Sequence, residues 1–385
     1  MTPAARIAAA IDILDRELRG EAAEAVLTAW ARGNRFAGSG DRAAIRDLVY
    51  DALRRRSSYA ALGGSLTGRG LLLGQCFAQG IDPDTVFTGD KFAPAVLGAA
   101  ERGAGVLPEG LHALDCPAWI APQLQEALGA DFAAVMAAQR ERAPVFLRVN
   151  LARMTRAEVQ AALAADGIGT EPDDHVKTAL KVTENARKVR TSSAYLSGLV
   201  ELQDLSSQSM VEMLPVHPGA AVLDYCAGGG GKVLAMAARV SAHYVAHDID
   251  AARMIDLPRR AARAGAQVAI AQPGKAPGGQ DLVLVDAPCS GSGTWRRNPE
   301  AKWRLTPERL AELTGLQAQI LGRAAALVQP GGTLAYMTCS LLTCENGAQI
   351  AGFLREISGW TLRDERRLTP LSGGDGFYLA LMTRQ

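Results

Sequence analysis

Residues 221–238 read AVLDYCAGGGGKVLAMAA: a short apolar strand, a run of four glycines, and an apolar stretch with helical spacing. A strand that turns through glycines straight into a helix start brings bare backbone N–H groups and the positive end of a helix dipole up to a ligand. Further along lie HYVAHDID (243–250), DLVLVDAPC (281–289) and GTLAYMTCS (332–340), short apolar runs separated by helical stretches. Strands apolar on both faces and spaced by helices imply a doubly wound, Rossmann-like α/β domain with a parallel sheet, expected over residues 216–385.

The pattern differs on the N-terminal side of that stretch. Residues 144–215 open with the strand-like PVFLRVN (144–150), continue with a helix after Thr155, and carry Lys177, Lys181, Arg187, Lys188 and Arg190. This is the pattern of a small α+β segment of basic character. Residues 1–140 are rich in Ala, Leu and Arg, with Ile7, Ile11, Leu14 and Leu18 on one helical face and Ile45, Leu48, Val49 and Leu53 on another, so an all-α domain is expected there. Asp41 stands where an N-cap would open the second of these helices. Arg54, Arg55 and Arg56 crowd its last turn, either as a solvated helix end or as a phosphate-binding patch.

The whole chain narrows the classes. With 385 residues, 48% of them hydrophobic, it can fill several ordinary cores and is not a disordered polymer. A formal net charge of +1 supplies no global cationic field, so contact with nucleic acid must come from local patches. The opening MTPAARIAAAIDILDREL places Asp12, Asp15 and Glu17 where a signal peptide needs an unbroken apolar run, and no long uncharged apolar stretch follows. The six cysteines form no closely spaced zinc-type pairs, so no metal is expected, and reduced thiols in a cytoplasmic protein are the expectation.

The glycine turn alone would suit several nucleotides. It matches neither G-x-G-x-x-G nor a full P-loop, because Lys232 is followed by Val233 where a magnesium-binding Ser or Thr would stand. The next strand ends at Asp248, about twenty residues on, where a carboxylate can accept from ribose hydroxyls; a helix N-cap is the plainer alternative, for which Asp250 is better placed. A nucleoside ligand without a magnesium–phosphate site points to S-adenosylmethionine. Asp286 with Cys289, and Cys339, then follow two buried strands at the end where open α/β sheets bind ligands, each cysteine preceding a serine (Ser290, Ser340). Cys76, Cys116 and Cys344 read as small core residues.

Paired thiols suit one demanding reaction. Carbon 5 of cytosine is a poor nucleophile until a thiolate adds to carbon 6; a second thiol can then assist release, and a carboxyl such as Asp286 can hydrogen-bond N3 and the exocyclic amine. All three groups share a pocket if the two strands are neighbours.

The segments DYCAGGGGK, DAPCSGSG, and TCS followed by Glu345 and Asn346 resemble the signatures of the Sun, or RsmB-like, family of S-adenosylmethionine-dependent RNA cytosine-5 methyltransferases. GDRAAIRDLVYDALRRR (40–56) resembles its NusB-like RNA-binding domain, and FLRVN and LQDLSSQ resemble its connecting segment. The resemblance implies Cys339 as nucleophile and Cys289 as the residue that helps release product. It also implies a cofactor site along Cys226, Ala227, Gly228, Gly229, Gly230, Gly231 and Lys232, with Asp248 on the ribose, and Asp286 is counted among the cofactor-binding residues as well. Three positions depart from the family pattern: Gly228 replaces a proline, Val233 a threonine, and Gln272, in AIAQPGK, the acidic residue expected on the adenine amine. A Gln oxygen can accept that hydrogen bond, without charge assistance.

Arg296, Arg297 and Lys302 directly follow the Cys289 loop and are expected to bind RNA phosphates, with Trp295 and Trp303 as stacking surfaces; solvated loop charge is the plainer alternative. The target cytosine must be unstacked to reach the thiols. Nothing in these motifs reads the sequence of the RNA, and the NusB-like likeness favours ribosomal over transfer RNA. A noncatalytic ribosome-assembly factor is the alternative from another class, and both cysteines with Asp286 weigh against it.

Overall fold

The computed structural model describes residues 1–385, which divide into two compact units: Met1–Arg142 with Trp295–Leu305, and Ala143–Thr294 with Thr306–Gln385.

The first unit is helical. Helices Pro3–Leu18, Ala23–Gly33, Ser39–Arg54 and Gly68–Ala78 close on a core that includes Ile7, Ile13, Leu14, Ile45, Val49, Leu53 and Leu72. The apolar spacing is the cause: positions three and four apart bury one stripe against the neighbouring helices. Asp41 is not the N-cap. The helix starts earlier, at Ser39, and Asp41 in its first turn accepts from the Gly38 N–H at 3.3 Å while pairing with Arg6 at 2.8 Å. Of the arginine run, Arg54 is 8% exposed, Arg55 pairs with Glu141 at 2.6 Å, and Arg56 lies over the Trp303 ring, so the run is built into the unit.

The second unit contains two sheets. Strands β1 (Val145–Val149), β2 (Thr170–Pro172), β3 (Ala179–Val182) and β4 (Val200–Leu202) form an antiparallel sheet in the order β2-β3-β1-β4. Thr155, with Glu158 completing a capping box, starts the helix Arg156–Ala165 that packs Val159 and Leu163 onto it. Strands β5 (Ala221–Asp224), β6 (His243–Ala246), β7 (Val268–Ile270), β8 (Gln280–Asp286), β9 (Val328–Thr338), β10 (Trp360–Leu368) and β11 (Phe377–Arg384) form the larger sheet in the order β10-β11-β9-β8-β5-β6-β7.

Strands β5 to β9 pair in parallel, and only β10 and β11 run against them, so the sheet is a doubly wound one with an antiparallel edge. Val222, Leu223, Val283, Leu284, Leu334 and Ala335 are 0% exposed, as the unbroken apolar runs require of strands covered on both faces. The chain moves outward from β5 through β6 to β7, then returns to place β8 on the other side of β5. That reversal leaves a crevice beyond the carboxyl ends of β5, β8 and β9. No helix is long and apolar enough to cross a membrane.

Candidate active site

Glycine geometry opens the site. Beyond β5 the chain turns through Gly228 (φ 50°) and Gly230 (φ 80°) into the helix Gly231–Ala237. Both φ values are in the left-handed region that L side chains resist, and a Cβ on Gly230 would lie 2.2 Å from Leu257 Cδ1. Glycine at position 228, where the family pattern has proline, is therefore used for its conformation. Asp248, 1% exposed at the end of β6, accepts from the Gly228 N–H at 3.0 Å and pairs with Arg253 at 3.1 Å, which ties the turn to the next strand. His247 binds both sides of this crevice, with Nδ1 2.8 Å from the Tyr225 carbonyl and Nε2 accepting from the Gly274 N–H at 3.1 Å. An acceptor Nε2 fixes the neutral tautomer with its proton on Nδ1. Gln272, two residues earlier in the same loop, is exposed just beyond the end of β7.

Two carboxylates and a lysine occupy the centre. Asp224, at the end of β5, is 1% exposed, and neither of its carboxyl oxygens has a hydrogen-bond partner, only the Val233 amide approaching. Burial, partly offset by Lys232 and reinforced by Asp286, pushes its carboxyl up to about 7. Lys232 Nζ donates to Asp286 Oδ2 at 2.5 Å and lies 5.5 Å from the centre of the Phe377 ring. Burial opposes its charge, but Asp286, Asp224 and Cys339 outweigh that and hold the ammonium above its ordinary range. Asp224 was not among the residues that the sequence singled out. An aspartate ending a strand looks like any other until its burial and lack of partners are seen.

The two thiols come together. Asp286 of β8 is in register with Met337 of β9, so the loops that leave these parallel neighbours emerge side by side. Cys289 Sγ and Cys339 Sγ are 3.4 Å apart, and the Gly293 N–H donates to the Cys339 carbonyl at 2.9 Å. Cys289 is held well above the usual thiol range, first by its hydrogen bond with Cys339, then by burial and by the charges of Cys339 and Glu345. Burial and the neighbouring aspartates Asp224, Asp286 and Asp248 push Cys226 up as well.

Two of the three basic residues expected to bind phosphate are buried. Arg296 is 5% exposed and Lys302 1%, both within the helical unit, where the Arg296 N–H donates to Gln139 Oε1 at 2.9 Å and Lys302 Nζ donates to the Arg54 carbonyl at 3.1 Å. Trp295 is 1% exposed, and Trp303 Nε1 donates to the Leu53 carbonyl at 2.7 Å. Of the three expected phosphate ligands only Arg297 is exposed. Charge and aromaticity in a loop do not reveal which core the loop is packed into.

Residues 211–382 match the family model of the 16S rRNA methyltransferases RsmB/F, and residues 116–189 match the ferredoxin-like domain of RsmF/B-like methyltransferases. The protein named ribosomal RNA small subunit methyltransferase B of an Enterobacter species is 34% identical over 287 residues, 70% of this chain and 66% of that protein. Its namesake in Proteus mirabilis is 31% identical over 305 residues, 75% of this chain and 72% of that one. The chain thus spans just under two thirds of the Enterobacter protein's length. The crystal structure of PH0851 superposes with a TM-score of 0.77 at 24% identity, covering 100% of this chain and 99% of that one. A methyltransferase homologue from Pyrococcus horikoshii gives a TM-score of 0.63 at 23% identity, covering 71% and 97%. These two likenesses show the fold.

Proposed function

Because the chain belongs to the RsmB/F methyltransferase family, we propose that it transfers a methyl group from S-adenosylmethionine to carbon 5 of a cytosine in ribosomal RNA. The observation that carries this reading is the pair of thiols 3.4 Å apart, on loops after adjacent strands, beside the Lys232–Asp286 pair.

The residues present fit the cofactor. The glycine turn leaves bare backbone beyond β5, and the buried, unpartnered Asp224 suits a cationic group such as the methionine ammonium. Residues 226–232 would hold the methionine portion, Asp248 the ribose and Gln272 the adenine, with Ile249, 72% exposed just after Asp248, as an apolar surface for the ring. The cofactor would supply an electrophilic methyl group.

The chain's own residues do the rest. Cys339, whose charge is within reach of the Lys232 ammonium, adds through its thiolate to carbon 6 of the base. Asp286 hydrogen-bonds the polar edge of the ring and offsets the charge that develops there. After methyl transfer the carbon 5 proton passes to a base at the site, its C–H electron pair re-forms the carbon 5–carbon 6 double bond, and the carbon 6–sulfur bond breaks as Cys339 leaves as a thiolate. Cys289, its sulfur 3.4 Å from that of Cys339, assists this release.

The test is incubation with radiolabelled S-adenosylmethionine and separate pools of unmodified ribosomal and transfer RNA, followed by digestion to nucleosides. Labelled 5-methylcytidine from ribosomal RNA is expected. Label from transfer RNA alone would keep the chemistry and move the substrate; no label from either, in a protein that still binds the cofactor, would overturn the catalytic reading.

A further inference from the structure

The serine that follows each catalytic cysteine points to a residue outside the reaction as derived above. Ser290 and Ser340 are 6% and 0% exposed, and both hydroxyls donate to the same atom, Glu345 Oε2, at 2.5 Å. The other oxygen, Oε1, accepts from the Ser290 N–H at 2.8 Å and from Gln317 Nε2 at 3.0 Å. Glu345 is itself 0% exposed.

A buried carboxylate is costly, and hydroxyl and amide donors stabilise it less than a cation would. As core filling an apolar side chain would serve at least as well. What the carboxylate achieves is a connection that no apolar group can make. One of its serines belongs to the loop after β8, the other to the loop after β9.

The flanking bonds complete the frame. Gln317, on the helix Pro307–Ala325, also donates to the Pro288 carbonyl at 2.9 Å, so Cys289 is tied at the residue before it and at the residue after it. Cys339 is treated in the same way. Thr338 Oγ1 donates to Asn346 Oδ1 at 2.6 Å, and Asn346 Nδ2 donates to the Ser340 carbonyl at 2.9 Å. Ser292 Oγ bridges the two loops once more, 3.0 Å from Ser340 Oγ and accepting from the Leu341 N–H at 2.8 Å.

We propose that Glu345 is a positioning residue for methyl transfer, its carboxylate fixing the separation of Cys289 and Cys339 by accepting from Ser290 and Ser340 together. The proposal rests on the reaction proposed above for these two thiols. Its geometric part stands apart from that reaction and can be measured without RNA or cofactor.

The probe is oxidation by diamide, an azodicarboxamide that takes two electrons and two protons from a pair of thiols and is reduced to the hydrazine as the S–S bond forms. The wild-type protein is expected to form the Cys289–Cys339 disulfide rapidly, mapped by peptide mass spectrometry, and Glu345→Gln to form it at least about tenfold more slowly. Gln presents an amide where two serine hydroxyls donate, so these bonds to a charged acceptor are lost. In methyl transfer the same variant is expected to lower kcat about 10- to 100-fold and leave KM for S-adenosylmethionine and RNA within about twofold. Adding Glu345→Gln to Ser290→Ala/Ser340→Ala should cost little more than the serine changes alone, since all act through one network; additive losses would mark a merely structural role.

A folded Glu345→Gln protein that crosslinks and methylates at wild-type rates would overturn the proposal. Should that variant not fold, Ser290→Ala/Ser340→Ala keeps the carboxylate, and the same two readouts decide. If wild-type protein methylates nothing while the crosslinking contrast holds, the reaction falls and the positioning stands.

Discussion

Residues 286–294 and 295–305 are consecutive in the chain, and the second stretch is the one richer in residues typical of RNA binding. The structure gives them opposite tasks. The first, DAPCSGSGT, leaves β8 and holds Cys289 against Cys339 within the α/β unit. The second, WRRNPEAKWRL, belongs to the helical unit, where Glu300 Oε1 accepts from the Ala23 N–H at 2.9 Å and Arg304 pairs with Glu300, also at 2.9 Å. Position at the end of a buried parallel strand identifies a site far better than residue type does, because sheet topology fixes where strand ends converge. Residue type says nothing about which core a loop enters.

The largest effect should come from the first stretch's partner thiol. Cys339→Ala removes the proposed nucleophile and should lower methyl transfer by about 10⁴-fold or more, with cofactor binding intact. Cys289→Ala should instead accumulate a covalent RNA adduct, visible as a band that resists denaturation. An adduct trapped by the Cys339 variant in place of the Cys289 variant would reverse the two roles.

Next comes the second stretch. Trp295, 1% exposed, should cost about 3–5 kcal/mol when changed to Ala, since a large buried ring leaves a cavity that its surroundings fill incompletely. Denaturant unfolding measures this. Were Trp295 a base-stacking surface, the variant would keep its stability and lose RNA affinity.

Asp286→Asn tests the first stretch again at smaller scale. It removes the partner of Lys232 and the charge facing the base, and should lower kcat roughly 100-fold, about 2.7 kcal/mol. A change confined to KM for RNA would make Asp286 a binding group only.

These contrasts show how far the sequence could be read. The central parallel strands were legible because the apolar runs Val222–Leu223, Leu282–Val285 and Leu334–Met337 are buried on both faces, and the ends of β8 and β9 located Asp286, Cys289 and Cys339. Asp224 was not legible: its burial without partners depends on β6 and β8 flanking β5. Glu345 was noticed only as part of the signature resemblance, since its partners Ser290 and Gln317 are 55 and 28 residues away. The assignment of 295–305 to the helical unit depends on packing against residues some 250 positions earlier, such as Lys302 on Arg54, and no local pattern encodes that.

Lys302 gives the smallest and most discriminating test. Burial lowers its ammonium from an ordinary 10.5 to about 8, with Asp115 and Cys116 opposing the shift. Between those two values the unfolded chain carries a proton that the folded chain lacks, so the lysine's contribution to stability rises with pH across this window. Below about pH 8 both states hold the proton and the slope vanishes. The wild-type protein should therefore gain on the order of 2 kcal/mol relative to Lys302→Met between pH 8 and 10, measured as the difference between denaturant midpoints. If Lys302 instead bound a phosphate, that difference would stay flat, and the variant would reduce the salt dependence of RNA binding by about one counterion. The two readings thus give opposite results in two measurements, which makes this lysine the sharpest place to ask whether the chain beyond Thr294 supports the helical unit or touches RNA.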